Sequence, residues 1–178
     1  MRLRQLNYTD IEGMLEWMHE PTIYQNFQAD FSSYNSEKVK QFIANSFTES
    51  NRHYACVNEL DEYLGTVSLK NIDHNSQNAE YAISIRKSAH KTGVSYFATD
   101  EILKIAFYEL NLEKVYLNVI SKNTRAISFY EKYGFIYEGC FKKHILINET
   151  LEDLLWYRIL KTEYIKRMKN EKDTICNI

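Results

Sequence analysis

The spacing of apolar positions switches between strand and helix period along the chain. From Arg2 to Leu6 polar and apolar residues alternate, which predicts a short strand. Thr9-Asp10-Ile11-Glu12 has the S/T-x-x-E form of a capping box, so a helix is expected to start there. Ile11, Met14, Leu15 and Met18 then share one helical face, and Pro21 marks where the pattern stops. Thr22 to Tyr34 is polar and aromatic with no clear period and reads as a loop. After Ser36, Val39, Phe42, Ile43 and Phe47 return to helical spacing. From His53 the period is two: His53 to Asn58 and Tyr63 to Asn71 predict a hairpin turning at Glu59 to Glu62, and Glu80 to Ile85 a further strand after a turn at Asp73 to Asn78.

The second half begins at Gly93. Val94, Phe97, Ala98, Ile102, Ile105 and Ala106 form an apolar stripe ending near Leu112, a helix of about four turns. Lys114 to Ile120 is rich in Val, Tyr and Ile and follows that helix, so strand, helix and strand make a βαβ crossover with parallel strands. Asn123 stands where a helix N-cap belongs, Ala126, Ile127, Tyr130 and Tyr133 lie inside the helix, and Gly134 stops it. Phe135 to Asn148 and Leu151 to Leu160 are strand-like, and the charged run from Lys161 is expected to continue the last strand and fray. The fold class is therefore α/β (α+β): one mixed sheet, antiparallel at its N-terminal meander and parallel at the crossover, with helices on both faces. One domain over residues 1–167 is expected, with 168–178 a disordered tail.

Composition narrows this little for fold but more for function. The 178 residues suit one domain, and the single proline and five glycines exclude linker-rich or collagen-like architectures. Lys and Arg number 22 against 24 Asp and Glu, which leaves no basic excess for a nucleic-acid backbone. Cys56, Cys140 and Cys176 have no C-x-x-C spacing and the five histidines no ligand spacing, so reduced thiols and no metal are expected. The N-terminus lacks a signal-peptide apolar core and no run of ~18 apolar residues occurs, so a cytoplasmic protein with no membrane partner is expected.

His90-Lys91-Thr92-Gly93-Val94-Ser95 joins a strand to a helix whose first amides have no intrahelical partners, and the small Gly93 and Ser95 let a ligand approach that backbone. Such a terminus suits a pyrophosphate. Gly93-Val94-Ser95, then Ala106 to Val119, and then Asn123-Thr124-Arg125-Ala126-Ile127-Ser128-Phe129-Tyr130-Glu131-Lys132-Tyr133-Gly134-Phe135 closely resemble the acetyl-CoA-binding core of the GNAT N-acetyltransferase superfamily. Tyr137-Glu138-Gly139 and Leu155-Trp156-Tyr157-Arg158-Ile159-Leu160 are similar to its ribosomal-protein, polyamine and amino-sugar branch. The family's phosphate loop usually reads Gln/Arg-x-x-Gly-x-Gly/Ala; here His90 replaces the first polar residue and Ser95 the last small one.

The resemblance implies an enzyme that transfers an acetyl group from acetyl-CoA directly to a primary amine. It implies that the strand Glu80 to Ile85 splays from Lys114 to Ile120, with the amides of Ile83, Ser84 and Ile85 meeting the pantetheine arm and thioester. His90, Lys91, Thr92, Gly93, Val94 and Ser95 would meet the phosphates, and Asn118, Asn123 and Ala126 the arm. Tyr130 matches the family's general acid, although it is also one of 14 tyrosines on an apolar helix face. Glu80 stands where several relatives carry the carboxylate that takes the amine's proton, and a solvated strand-end carboxylate would look the same. His90 and His144 are further candidate bases. Cys140 has no paired base for a covalent route.

The acceptor is less determined. Between Gln5 and Glu37 there is no Lys or Arg, while Asp10, Glu12, Glu16, Glu20, Asp30 and Glu37 are acidic, which suits a polyamine. The aromatic loop from Tyr24 to Tyr34 offers faces for a sugar or base, and Arg86, Lys87, Lys142 and Lys143 could meet a diphosphate; this favours a nucleotide-linked amino sugar. A protein N-terminal amine, a non-catalytic acyl-CoA-binding module and a peptide- or ribosome-binding partner are the alternatives. The resemblance leaves room for a homodimer.

Overall fold

A computed structural model describes residues 1–27 and 29–175, with side chains through residue 169. The chain order is β1 (Arg2–Gln5), α1 (Ile11–Met18), α2 (Pro21–Tyr24), α3 (Ser36–Ala44), β2 (Arg52–Val57), β3 (Tyr63–Asp73), β4 (Asn78–Ile85), α4 (Val94–Lys104), β5 (Lys114–Ile120), α5 (Thr124–Tyr133), β6 (Ile136–Ile147), β7 (Thr150–Leu160) and α6 (Lys161–Ile175). The strands form one seven-stranded sheet in the order β1-β2-β3-β4-β5-β7-β6. Among the described residues only the β4 and β5 pair is parallel, as a crossover through α4 requires.

Alternation along the strands assigns each face its helices. Ala55 and Val57 bury with Met14, Trp17 and Met18 of α1 and Val39 and Ile43 of α3. Cys56, Val67, Leu69 and Tyr81 point the other way and bury with Ala98, Ile102 and Leu103 of α4 and Tyr130 and Tyr133 of α5. Helices thus cover both faces, and the Glu80 face of β4 is the one shared with α1 and α3.

Three local expectations shift. The capping box is carried by Asn7 and Asp10: Asn7 Oδ1 accepts the Thr9 amide at 2.9 Å and Asp10 Oδ2 accepts the Asn7 amide at 2.9 Å. Arg4 holds both Asp10 oxygens at 2.8 and 2.7 Å, and this nearly buried ion pair fixes the box two residues earlier than Thr9. Pro21 does not merely end α1; it opens α2, with Glu20 capping Thr22, inside the stretch expected to be a loop. The chain after Leu160 is a helix rather than a continued strand. Glu163 accepts the Leu160 amide at 2.9 Å and Tyr164 buries against Phe107 with ring centroids 5.4 Å apart, so packing overrides the charged composition. The expected disordered tail from 168 falls on this helix as far as Ile175, and residues 176–178, with Cys176, lie outside the described residues. Cys56 and Cys140 are free thiols.

Candidate active site

Strands β4 and β5 pair only over Asn78↔Lys114, Ala79↔Val115 and Glu80↔Tyr116, and then part. Beyond Glu80, β4 follows β3 instead, through Gly65↔Ile85. Gly65 makes this possible: a Cβ there would stand 2.5 Å from the Ser84 carbonyl oxygen and 2.9 Å from the Ile85 Cα. From Tyr81 to Ile85 the alternate main-chain N–H and C=O groups that face away from β3 therefore meet a gap rather than a strand.

That gap is part of a cleft of about 720 Å³. Its walls include Glu80, Ile83, Ser84, Ile85, His90, Ser95, Asn118, Asn123, Ala126 and Tyr130, which brings together ten of the residues expected from the sequence. Lys91, Thr92, Gly93 and Val94 form the loop between His90 and Ser95 without lining the cleft with side chains; Thr92 donates to the Ala89 carbonyl at 2.7 Å and the Val94 side chain is buried in the core. Gly93 has φ +86°, a left-handed conformation that favours glycine, with no atom within 4 Å of where a Cβ would stand. It opens α4 and leaves the first amides of an eleven-residue helix without intrahelical partners. His90 donates through Nε2 to the Ile85 carbonyl at 3.0 Å, and burial, then the Arg125 charge, pulls its pKa below the usual histidine range. Arg125 lies in the first turn of α5, where a cation opposes the helix dipole, and has no protein partner among the described residues. A negative ligand satisfies this arrangement better than the free protein does.

Tyr130 is buried, packs edge-on against Tyr81 with centroids 6.1 Å apart, and makes no protein hydrogen bond through its hydroxyl among the described residues. Burial pushes the phenol well above its ordinary range, so it stays protonated at neutral pH. Asn123 accepts the Ala126 amide at 3.2 Å as the α5 cap, and its side-chain nitrogen has no partner among the described residues. Glu80 is held on three sides: Lys70 Nζ at 2.7 Å and Asn118 Nδ2 at 3.3 Å on Oε1, Asn71 Nδ2 at 2.9 Å on Oε2.

The opposite wall is built from Thr22, Ile23, Asn26, Phe27 and Phe31 on one side and His144, Ile145, Leu154 and Trp156 on the other. Phe31 packs on Trp17 of α1 at 5.1 Å and Phe27 on Phe31 at 5.2 Å, so the aromatic loop is anchored rather than loose. Lys70, Arg125, Phe129 and Trp156 are site residues to which sequence reasoning gave no role. Lys70 is found only through register, because it faces Glu80 across β3 and β4. Two expectations about charge fail. Arg86 pairs with Glu16, Lys87 with Glu20 at 3.3 Å, and Lys142 with Asp153 at 2.8 Å, and none of these cations, nor Lys143, lines the cleft. Glu16 on Arg86 and Glu20 on Lys87, with Asp10 on Arg4 and Glu37 on Lys40 at 2.7 Å, pair four of the six acids of the N-terminal segment.

Comparison with known proteins decides the family. The model of the Acetyltransferase (GNAT) domain matches residues 1–136. The chain belongs to the GNAT family. It is 27% identical over 154 residues to the spermidine N(1)-acetyltransferase of Vibrio cholerae, covering 86% of this chain and 83% of that protein. It is 29% identical to the putative ribosomal N-acetyltransferase YdaF of Bacillus subtilis, covering 64% and 66%, and 24% identical to the acetyltransferase PseH of Campylobacter jejuni, covering 74% and 80%. The crystal structure of the Vibrio cholerae spermidine N-acetyltransferase with CoA and spermine superposes with a TM-score of 0.84 at 23% identity, over 92% of this chain and 97% of that one, and shares its fold. This GNAT protein is accordingly an acetyl-CoA-dependent N-acetyltransferase. The unpaired amides of α4, the free Arg125 and the gap between β4 and β5 fit the phosphates and the extended arm of acetyl-CoA. No helix among the described residues is long and apolar enough to cross a membrane.

Proposed function

We propose that the enzyme acetylates the primary amine of an amino sugar by direct transfer, with Tyr130 as general acid and Glu80 as the acceptor of the amine's proton. Acetyl-CoA supplies the acetyl group. The Ile83 to Ile85 main chain binds the arm, and its free amides offset the charge that develops on the carbonyl oxygen. Glu80 is the one carboxylate among the described cleft residues, and takes the proton from the ammonium through water so that a neutral amine attacks. Tyr130 gives its proton to the departing sulfur.

The observation that carries the acceptor is the balance of faces and charges in the acceptor half. Phe27, Phe31 and Trp156 line it with aromatic surface, whereas the single carboxylate among the described cleft residues, Glu80 of β4, is already paired with Lys70. A sugar ring stacks on such faces; a polyamine's ammonium groups also meet aromatic faces favourably, but a chain cationic along its length calls in addition for several free carboxylates, which the described cleft residues do not offer. A second reading, polyamine acetylation, is supported by the likeness to the spermidine acetyltransferases of Vibrio cholerae and Escherichia coli. Initial rates with a nucleotide-linked 4-amino sugar, spermidine and an N-terminal alanine peptide at matched concentrations test the choice. The sugar is expected to lead; spermidine ahead by about tenfold, some 1.4 kcal/mol in transition-state binding, overturns it.

A further inference from the structure

Side chains from three helices meet behind Tyr130. Arg167 of α6 stacks over the Tyr133 ring with its guanidinium carbon 4.0 Å from the centroid. It donates through Nη1 to the Tyr133 main-chain carbonyl and through Nη2 to Asp100 Oδ1 at 3.0 Å. The Tyr133 hydroxyl closes the triangle by donating to the same Asp100 oxygen. The guanidinium thus caps one of the last carbonyls of α5, which no intrahelical amide can reach, and joins that helix end to α4.

What these two helices carry gives the clamp its meaning. Asp100 lies on α4, whose first amides form the phosphate seat, and Tyr133 lies on α5 three residues after Tyr130. Tyr133 packs on Phe129 at 6.1 Å and on Phe135 at 5.7 Å, and both rings touch Tyr130, at 5.6 and 5.8 Å. A shift of Tyr133 therefore reaches Tyr130 through two close-packed rings. The ion pair itself is a quarter to a third exposed and contributes little stability, whereas its planar geometry constrains orientation strongly. Arg167 lies beyond residues 1–136, the part matched by the family model.

We propose that Arg167 is a positioning residue, which sets the α5 helix against α4 and so holds the Tyr130 hydroxyl at a fixed reach from the phosphate seat and the reacting sulfur. This rests on Tyr130 acting as the acid. Misplacement of a catalytic group by an ångström costs up to ~10²-fold, so a partly loosened helix is expected to lose roughly tenfold in kcat.

The test is a double-mutant cycle on the full chain, following coenzyme A release with whichever amine turns over fastest. Arg167→Ala is expected to lower kcat roughly tenfold while the acetyl-CoA KM stays within about twofold, and to change kcat less than about twofold in the Tyr130→Phe background. Arg167→Lys keeps a charge toward Asp100 but cannot cap and stack in one plane; its kcat is expected to fall between, and it carries the cycle if the alanine variant does not fold. Equal losses in both backgrounds, or a raised KM with kcat unchanged, overturn the clamp and leave Tyr130 in place. An unchanged kcat for Tyr130→Phe alone overturns the acid role and the clamp together.

Discussion

The two halves of the cleft are built by different means. In the half made by β4, α4, β5 and α5, the groups offered are largely main chain: the α4 amides behind Gly93 and the β4 edge left open where pairing with β5 stops at Glu80. In the half made by α2, the Phe31 turn and the β6 and β7 hairpin, they are side chains: Phe27, Phe31, His144 and Trp156. A main-chain site depends on backbone conformation and tolerates most side chains, so His90 and Ser95, where the family usually has other residues, leave the α4 amides open. A side-chain site changes with each substitution, which is consistent with a shared fold whose relatives carry different acceptor names.

The largest effect expected concerns the support beneath the acceptor half. His53 of β2 packs under Phe42 of α3 at 4.7 Å and bonds Ser68 Oγ at 2.7 Å, and burial, then the Lys70 charge, lowers its pKa to about 4. The folded pKa lies below the unfolded value, so the stability linked to His53 is present above about pH 6.5 and is lost as pH falls through about 4. The shift corresponds to about 3 kcal/mol. Urea unfolding from pH 7 to 4 is expected to show a steeper loss for the wild type than for His53→Gln; parallel curves refute it.

Next is chemistry, where the halves meet. Tyr130→Phe keeps the ring packing and removes the proton, so kcat is expected to fall roughly 10²-fold with acetyl-CoA affinity unchanged. Single-turnover rates decide it. Gly93→Glu challenges the main-chain half: it puts a side chain on a left-handed residue and a negative charge at the helix N-terminus, and is expected to weaken acetyl-CoA binding by about tenfold or more in calorimetry. Full affinity in that variant would show that the phosphates sit elsewhere. The smallest effect belongs to the side-chain half. Trp156→Leu removes a stacking face and is expected to raise the acceptor KM by about fivefold, equivalent to ~1 kcal/mol, while acetyl-CoA KM is unchanged. An equal rise in both would dissolve the distinction between the halves.

Periodicity alone determined the strands from Arg2 to Ile85, the crossover through α4, the α5 helix from Asn123 to Gly134 and the final hairpin, because burial on one side stamps a period of two or 3.6 on the sequence. The residues proposed to meet the cofactor stood out for a related reason: a loop, an N-cap and a helix are local, so the residues that build them are contiguous. What tertiary structure decided is everything that joins distant segments. Asp10 became a cap because Arg4 of β1 reaches it, and Lys161 to Ile175 became a helix because Tyr164 found Phe107. Three of the six acids that suggested a polyamine, Asp10, Glu16 and Glu20, are paired with Arg4, Arg86 and Lys87, partners whose proximity no spacing reveals. Charge along a chain is additive, but the field in a cleft depends on which charges are neighbours, and only the fold sets that.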